Sequence, residues 1–238
     1  MNLFIAALFG LLWPLWSWFQ RAPSLPQVNL GYEIHEALFY NDVTMRYTFR
    51  NIRYAQAPVG GLRYACPVAP SGGVNPIVQR GNESRICASD QIPIPGDERV
   101  GEDALSRVST LTSSNANATV TEDCLFLDVV VPKCIFEGRN RSPAKVYVTY
   151  GISDDEDSIT VDKEGILKDG LDGAVMVGVN YRRGSLAKPT SSKSIPADLG
   201  EADQGLALEW VREHIHRFGG DSKLIYSLKF SYKVKKTL

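Results

Sequence analysis

Histidine and methionine are scarce, three of each in 238 residues, and the four cysteines never approach the C-x-x-C spacing of a zinc site. An excess of one charge sign is missing too: 26 basic residues face 27 acidic ones, a net charge of −1. Nucleic acid or an anionic membrane would call for a basic excess, so neither is an expected partner. Past Phe19 no long apolar run remains, which excludes a multi-span membrane protein. No phosphate-binding loop and no G-x-G-x-x-G after a strand-like run occurs, so no nucleotide cofactor is implied. Asp154-Asp155-Glu156-Asp157 lacks the spacing and the glycine of a calcium loop and reads as a solvated segment. Neither metal nor cofactor is expected, and any chemistry must come from side chains and backbone.

What is present is ordinary globular material, 44% hydrophobic and 22% charged, long enough for one large domain. Leu3–Phe19 is apolar apart from Gly10, Pro14 and Ser17, the length of a signal-peptide core. Residues 1–19 therefore read as a secretion signal, with an uncleaved anchor or a buried N-terminal helix as alternatives. Asn82-Glu83-Ser84 and Asn117-Ala118-Thr119 are glycosylation acceptors, and Asn140-Arg141-Ser142 is a third weakened by Pro143. An even set of cysteines (Cys66, Cys87, Cys124, Cys134) suits an exported, disulfide-forming protein, so an extracellular location is expected.

Val43, Met45, Tyr47 and Phe49 recur every second residue, a half-buried strand pattern within Gly31–Arg53 that predicts an antiparallel ribbon. Pro70–Thr119 holds no sustained period and reads as a long surface excursion. Leu125–Val131, Lys145–Tyr150 and Ala174–Asn180 are β-branched and aromatic runs of strand length; the last is apolar nearly throughout, as strands covered on both faces are. From Asp203 to Phe218, Ala207, Trp210, Val211, His214, Ile215 and Phe218 fall three or four apart, which predicts an amphipathic helix. Gly219-Gly220 stops it, and Leu224-Ile225-Tyr226 starts another strand. Strands alternating with a helix place the chain in the α/β class.

Three stretches are similar to one family. The helix carries D-Q-G-L-A-L-E-W-V from Asp203 and ends in Phe218-Gly219-Gly220-Asp221; Phe49–Tyr64 reads F-R-N-I-R-Y-A-Q-A-P-V-G-G-L-R-Y; Glu122–Leu125 reads E-D-C-L. These resemble the type-B carboxylesterase/lipase family of the α/β-hydrolase fold, whose motifs are D-Q-x-x-A-L-x-W-V, F-x-G-I-P-Y-A-Q-P-P-V-G-x-L-R-F and E-D-C-L. The resemblance implies a truncated α/β-hydrolase, the first half of a mostly parallel sheet with an N-terminal antiparallel ribbon. Residues 20–228 would be a partial carboxylesterase domain, and 229–238 a basic tail unlike the family. In the Phe49–Tyr64 stretch, Pro58 and Gly60-Gly61 would make a fixed turn, with the tyrosines covering the sheet edge. It further implies a Cys87–Cys124 disulfide, closing a loop worth roughly 4 kcal/mol in the chain-entropy picture. Cys66 and Cys134 would remain, free or paired with each other. Two structural ion pairs are implied as well, Arg63 with Glu122 and Arg182 with Asp203.

Ester hydrolysis on this fold needs an activated serine, a histidine base oriented by a carboxylate, and backbone donors for the oxyanion. The family's Gly-Glu-Ser-Ala-Gly elbow falls on Lys229-Phe230-Ser231-Tyr232-Lys233, so Ser231 is in register but both glycines are lysine. A side chain at those positions crowds the strained bend that presents the serine. Where the family has three glycines for the oxyanion, this chain keeps Gly151 and continues Ile152-Ser153-Asp154-Asp155. A carboxylate about 4 Å from an oxyanion opposes it by roughly 1–4 kcal/mol, and a lost donor costs about 3 kcal/mol. In α/β-hydrolases the acid and then the histidine follow the serine, whereas His35, His214 and His216 all precede Ser231. His214 and His216 are two apart on a helix and point different ways, which also argues against a metal pair.

Membership in the ester-hydrolase family is thus expected without a working site in this polypeptide, an ester being a partner only of a full-length form. The other reading is a non-catalytic, secreted binding protein on the hydrolase scaffold. Non-reducing peptide mapping should recover Cys87 joined to Cys124; a free Cys87 thiol would contradict that pairing.

Overall fold

A computed structural model describes residues 24–73, 75–90, 92–94, 106, 109, 118–138, 144–150, 173–188 and 198–228. The proposed signal at 1–19, the tail at 229–238, Gly151, Asp154–Asp157, Asn117, Asn140 and Ser231 lie outside them.

The centre is a six-stranded sheet in the order β11-β9-β10-β8-β4-β3. Its strands are β3 (Phe39–Asn41), β4 (Arg46–Arg53), β8 (Phe126–Pro132), β9 (Ala144–Tyr150), β10 (Val175–Val179) and β11 (Gly220–Leu228). β11, β9 and β10 run parallel, while β8 is antiparallel to β10 and β4 and β3 continue antiparallel. The sheet is mixed, because the β3–β4 hairpin and β8 supply its antiparallel side. Every residue of β8 and β10 is buried, as expected for central strands covered on both faces. Two smaller sheets flank it: β1 (Gln27–Asn29), β2 (Glu33–Glu36) and β5 (Asn75–Gln79), and the pair β6 (Ser84–Cys87) and β7 (Ala118–Thr121). The stretch 70–119, expected to be free of regular structure, thus contributes three strands; each is too short for periodicity to register.

The short α1 (Lys133–Phe136) follows β8, and α2 (Leu199–His214) is the long helix. Asp198 caps α2, its Oδ1 accepting from the backbone N–H groups of Gly200 at 2.9 Å and Glu201 at 3.2 Å. Burial pushes the Asp198 carboxyl up, but the Lys188 ammonium and those N–H donors outweigh it and hold it below the usual carboxylate range. The cap starts the helix four residues ahead of the expected Asp203, because Leu199 and Gly200 have partners for their first-turn N–H groups. Ala207, Trp210 and Val211 pack in one core with Val146, Val148, Val175, Val177 and Val179, the alternate residues of β9 and β10. A 3-10 turn, Ile215–Phe218, carries Phe218 edge-on to Phe49 at 5.0 Å. Gly219 then takes φ 80°, and a Cβ on Gly220 would stand 2.8 Å from Ile215 and 2.9 Å from Val146. The first glycine is needed for its conformation, the second for the close approach of helix and sheet.

Two expectations change, and one question left open by the sequence is answered. Val43 and Met45 are not in the strand: they sit in the hairpin turn, 88% and 55% exposed. Asn41 makes that turn by accepting, at its Oδ1, the N–H groups of Val43 and Thr44 at 3.0 Å each. Tyr54 does not cover the sheet edge; it is buried at the sheet end and donates to the Asn180 carbonyl at 2.7 Å. Tyr64 alone is exposed. Cys66 and Cys134 do not pair; both are free and exposed, whereas Cys87 and Cys124 are bonded.

Arg182 and Asp203 bind the end of β10 to α2. Arg182 Nη2 and Nε donate to the two Asp203 oxygens at 2.7 and 2.9 Å, and its backbone N–H donates at 3.1 Å. Nη1 donates to the carbonyls of Arg63 and Ala65, so the whole guanidinium fork is engaged while 2% exposed. Arg63 itself reaches Glu122 at 2.6 Å from an exposed position, where such a pair adds about 0–1 kcal/mol. Removing one partner of the buried pair should cost about 3–5 kcal/mol. In urea unfolding, Asp203→Ala should lose that much, and the double replacement Arg182→Met/Asp203→Leu less than Asp203→Ala alone.

Candidate functional site

In open sheets with parallel strands, ligands bind beyond the carboxyl ends of those strands. Here β9 ends at Tyr150 and β11 at Leu228, and Leu228 is registered against Thr149. The carboxyl ends of these two adjacent parallel strands therefore lie at one end of the sheet. Gly151 and Ser231, which follow these strands in the sequence, lie outside the described residues.

The described floor of this site is polar and caged. Tyr150 is half-buried, and burial pushes its phenol up against the opposing pull of Arg212. Tyr54, deeper in, is pushed well up by burial and by the Asp203 carboxylate, so it stays a neutral donor to Asn180. Asn180 follows β10: its Nδ2 donates to the Arg85 carbonyl at 2.9 Å, and its buried Oδ1 has no partner among the described residues. None of these groups is a nucleophile at neutral pH.

The imidazoles are elsewhere. His214 and His216 stand just before Gly220, where β11 begins; Gly220 is registered against Ala144 and Leu228 against Thr149, so the two ends of β11 lie about 17 Å apart along the sheet at about 3.3 Å per residue. His214 is buried between Trp210 and Tyr32, with ring centroids at 5.0 and 6.0 Å. Burial pushes its imidazole down, Arg217 and His216 add to this, and Glu213 opposes it. The Trp210 indole N–H donates to the Tyr32 hydroxyl at 2.9 Å, which donates onward to the Arg53 carbonyl at 2.5 Å. His35 is fully buried with both ring nitrogens occupied, by Glu33 and by the Arg50 carbonyl. His216 is exposed. The candidate glycosylation residue Asn82 is exposed, before the buried Ser84 of its triplet.

A cleft of about 700 Å3 opens on the β4/β8 side, lined by Glu33, Asn51, Arg53, Arg80, Arg85 and Phe126 among others. β8 lies three strands from β11, about 14 Å at ordinary strand spacing, so this cleft stands apart from the end of β11. Its arginines are engaged: Arg53 forks onto both oxygens of Asp123 at 2.8 and 2.9 Å, Arg85 adds a 2.6 Å contact, and Arg80 holds Glu36 at 2.8 Å. Sequence reading missed Asp123, next to the disulfide cysteine; nothing in its spacing from Arg53 and Arg85 announces a pairing 70 and 38 residues away. Among the described residues no group of three or more His, Cys, Asp and Glu could hold a metal. No helix there is long and apolar enough to cross a membrane.

The profile of the carboxylesterase family matches residues 36–226. Carboxylesterase patB of Aspergillus clavatus is 33% identical over 252 aligned residues, which cover 92% of this chain and 44% of that protein. Juvenile hormone esterase of Tribolium castaneum is 28% identical, over 94% of this chain and 34% of its own length. The crystal structure of Aspergillus niger EstA superposes with a TM-score of 0.63 at 26% identity, over 87% of this chain and 36% of that one. A thermophilic pNB esterase gives a TM-score of 0.60 at 24% identity, a likeness of fold. The chain spans less than half the length of these relatives.

Proposed function

The chain belongs to the carboxylesterase family, and from that premise we propose that it is a portion of a carboxylic ester hydrolase that does not turn over esters by itself. The observation that carries this is the substitution of lysine for both glycines around Ser231, the one serine in register with the family's nucleophile. The sharp bend of a nucleophile elbow tolerates almost no side chain beside the serine, and strain at such a bend costs on the order of 1–3 kcal/mol even when the residue fits. The three imidazoles of this chain all precede Ser231: two stand near the start of β11, and the third spends both ring nitrogens on Glu33 and Arg50. Attack by Ser231 on a carbonyl carbon then has no general-base assistance from them.

What these residues do contribute is placement. β9 and β11 end side by side, and the Arg182–Asp203 pair sets α2 against the sheet ahead of β11. In an α/β-hydrolase of full length, the acid and the histidine come from chain that follows the serine. An exported protein fits the same reading, supported by the Cys87–Cys124 disulfide and the apolar run Leu3–Phe19.

A fluorophosphonate probe distinguishes a working serine from an idle one. The purified 238-residue chain should take up no probe and should hydrolyse a p-nitrophenyl ester no faster than its Ser231→Ala variant. A covalent adduct on Ser231, or ester turnover abolished by Ser231→Ala, would overturn the proposal.

A further inference from the structure

The cleft beside β4 and β8 stands apart from the end of β11, and its lining excludes three kinds of ligand. Each guanidinium there already meets a carboxylate: Arg53 forks onto Asp123, Arg85 reaches Asp123 at 2.6 Å and Glu83 at 3.1 Å, and Arg80 holds Glu36 at 2.8 Å. The remaining lining carboxylate, Glu33, lies 3.0 Å from the His35 ring. An anion would have to displace those acids and a cation those arginines, and either exchange leaves a charge unpaired in a partly buried place. An apolar molecule would leave the polar lining without hydrogen bonds. The rest of the lining is neutral and includes the amides of Asn51, Gln56 and Gln79, the Ser71 hydroxyl, and the rings of Tyr32 and Phe126. Amides and hydroxyls donate and accept at once, which matches a neutral molecule rich in hydroxyl groups. A sugar has such an edge, together with C–H faces that pack on aromatic rings. The volume of about 700 Å3 falls in the range of sites that hold small molecules, about 300–1,000 Å3.

The chain itself offers a place to attach one. Asn82 is exposed, lines this cleft, and heads the acceptor triplet Asn82-Glu83-Ser84. It sits in the short connection 80–83 between β5 and β6, and that connection is held on both sides. Arg80 is tied to Glu36 before it, and Arg85 to Asp123 after it. Gly81 takes φ 59°, and a Cβ there would run into the Arg50 carbonyl, so the backbone beside Asn82 is pressed onto the β4 bulge. A glycan on Asn82 therefore begins inside the lining, and its tether keeps the local concentration high. The wall it meets is already ordered: the Arg53 and Arg85 guanidinium groups stand 4.3 and 5.2 Å from the Phe126 ring centroid, so little side-chain freedom is left to lose. Ser84 is buried in β6, so attachment has to precede the pairing of β6 with β7.

We propose that an N-linked glycan on Asn82 seats its first sugars in this cleft, an internal ligand that braces β5 and β6 against β4. The inference rests on the exported-protein part of the proposed function and is independent of its ester chemistry.

The full chain, expressed in eukaryotic cells, tests this in two steps. Glycopeptide mapping of chain recovered from the medium should find Asn82 occupied. A secreted chain bare at Asn82 would overturn the inference and leave export standing; a bare chain that stays in the cytosol would overturn export as well. Hydrogen exchange of the glycosylated chain should then be slower than that of Asn82→Gln at residues 51–57 and 79–85, by about tenfold or more. A glycan that swings free in solvent would leave those rates alike and refute the seating. Should Asn82→Gln fail to fold, Gln56→Ala/Gln79→Ala keeps the glycan and thins its seat. An endoglycosidase must then strip the native variant several-fold faster than the native parent chain, and an unchanged rate would refute the proposal.

Discussion

The geometry of the sheet's functional end rests on one buried ion pair. Arg182 follows β10 and Asp203 lies one turn into α2, and neither is accessible to water. Stripping two charges of solvent costs several kcal/mol, which only a fully satisfied geometry recovers. Here the satisfaction is complete in kind: two guanidinium donors and a backbone N–H meet the carboxylate, and the remaining fork meets the carbonyls of Arg63 and Ala65. The pair thus fixes three things at once, namely the exit of β10, the tilt of α2 and the 3-10 turn at Gly60–Leu62 that precedes those carbonyls. An apolar replacement of equal volume could match its stability, but not that directional fixing of three segments.

From that fixed helix the rest of the site end follows. α2 delivers the chain to Gly219, whose left-handed conformation turns it, and to Gly220, whose bare Cα lets it pass between Ile215 and Val146. β11 then enters beside β9 in parallel, with an irregular register between Gly220 and Ile225. Its other edge has no neighbour among the described residues, as in a sheet whose further strands come from elsewhere. On the opposite flank the Cys87–Cys124 disulfide and the Asp123 cluster draw β6 and β7 to the start of β8.

Much of this was legible beforehand, and the exceptions share a cause. The strands at 126–132, 144–150 and 175–179 read directly, because an apolar run bounded by breakers has few other uses. The hairpin at Asn41–Arg46 did not: Val43 and Met45 continue an alternation that the Asn41 side chain interrupts, a local hydrogen bond that period counting cannot weigh. Asn51 was a missed clue. It stands where the family motif has glycine, and its φ of 60° marks a bulge that asparagine tolerates and most residues do not. β5, β6 and β7 hide in a stretch of low periodicity because they are stabilised by partners distant in sequence.

The amino-acid order by itself determined the class of fold, the strand-helix-strand core and the family, since these follow from periodicity, glycine placement and motif spacing. Only the tertiary structure decided which strands run antiparallel, that Cys66 and Cys134 stay apart, and that Arg53 and Arg85 meet at Asp123. Those outcomes depend on residues far apart in the chain arriving at one place, and burial there changes what their charges cost.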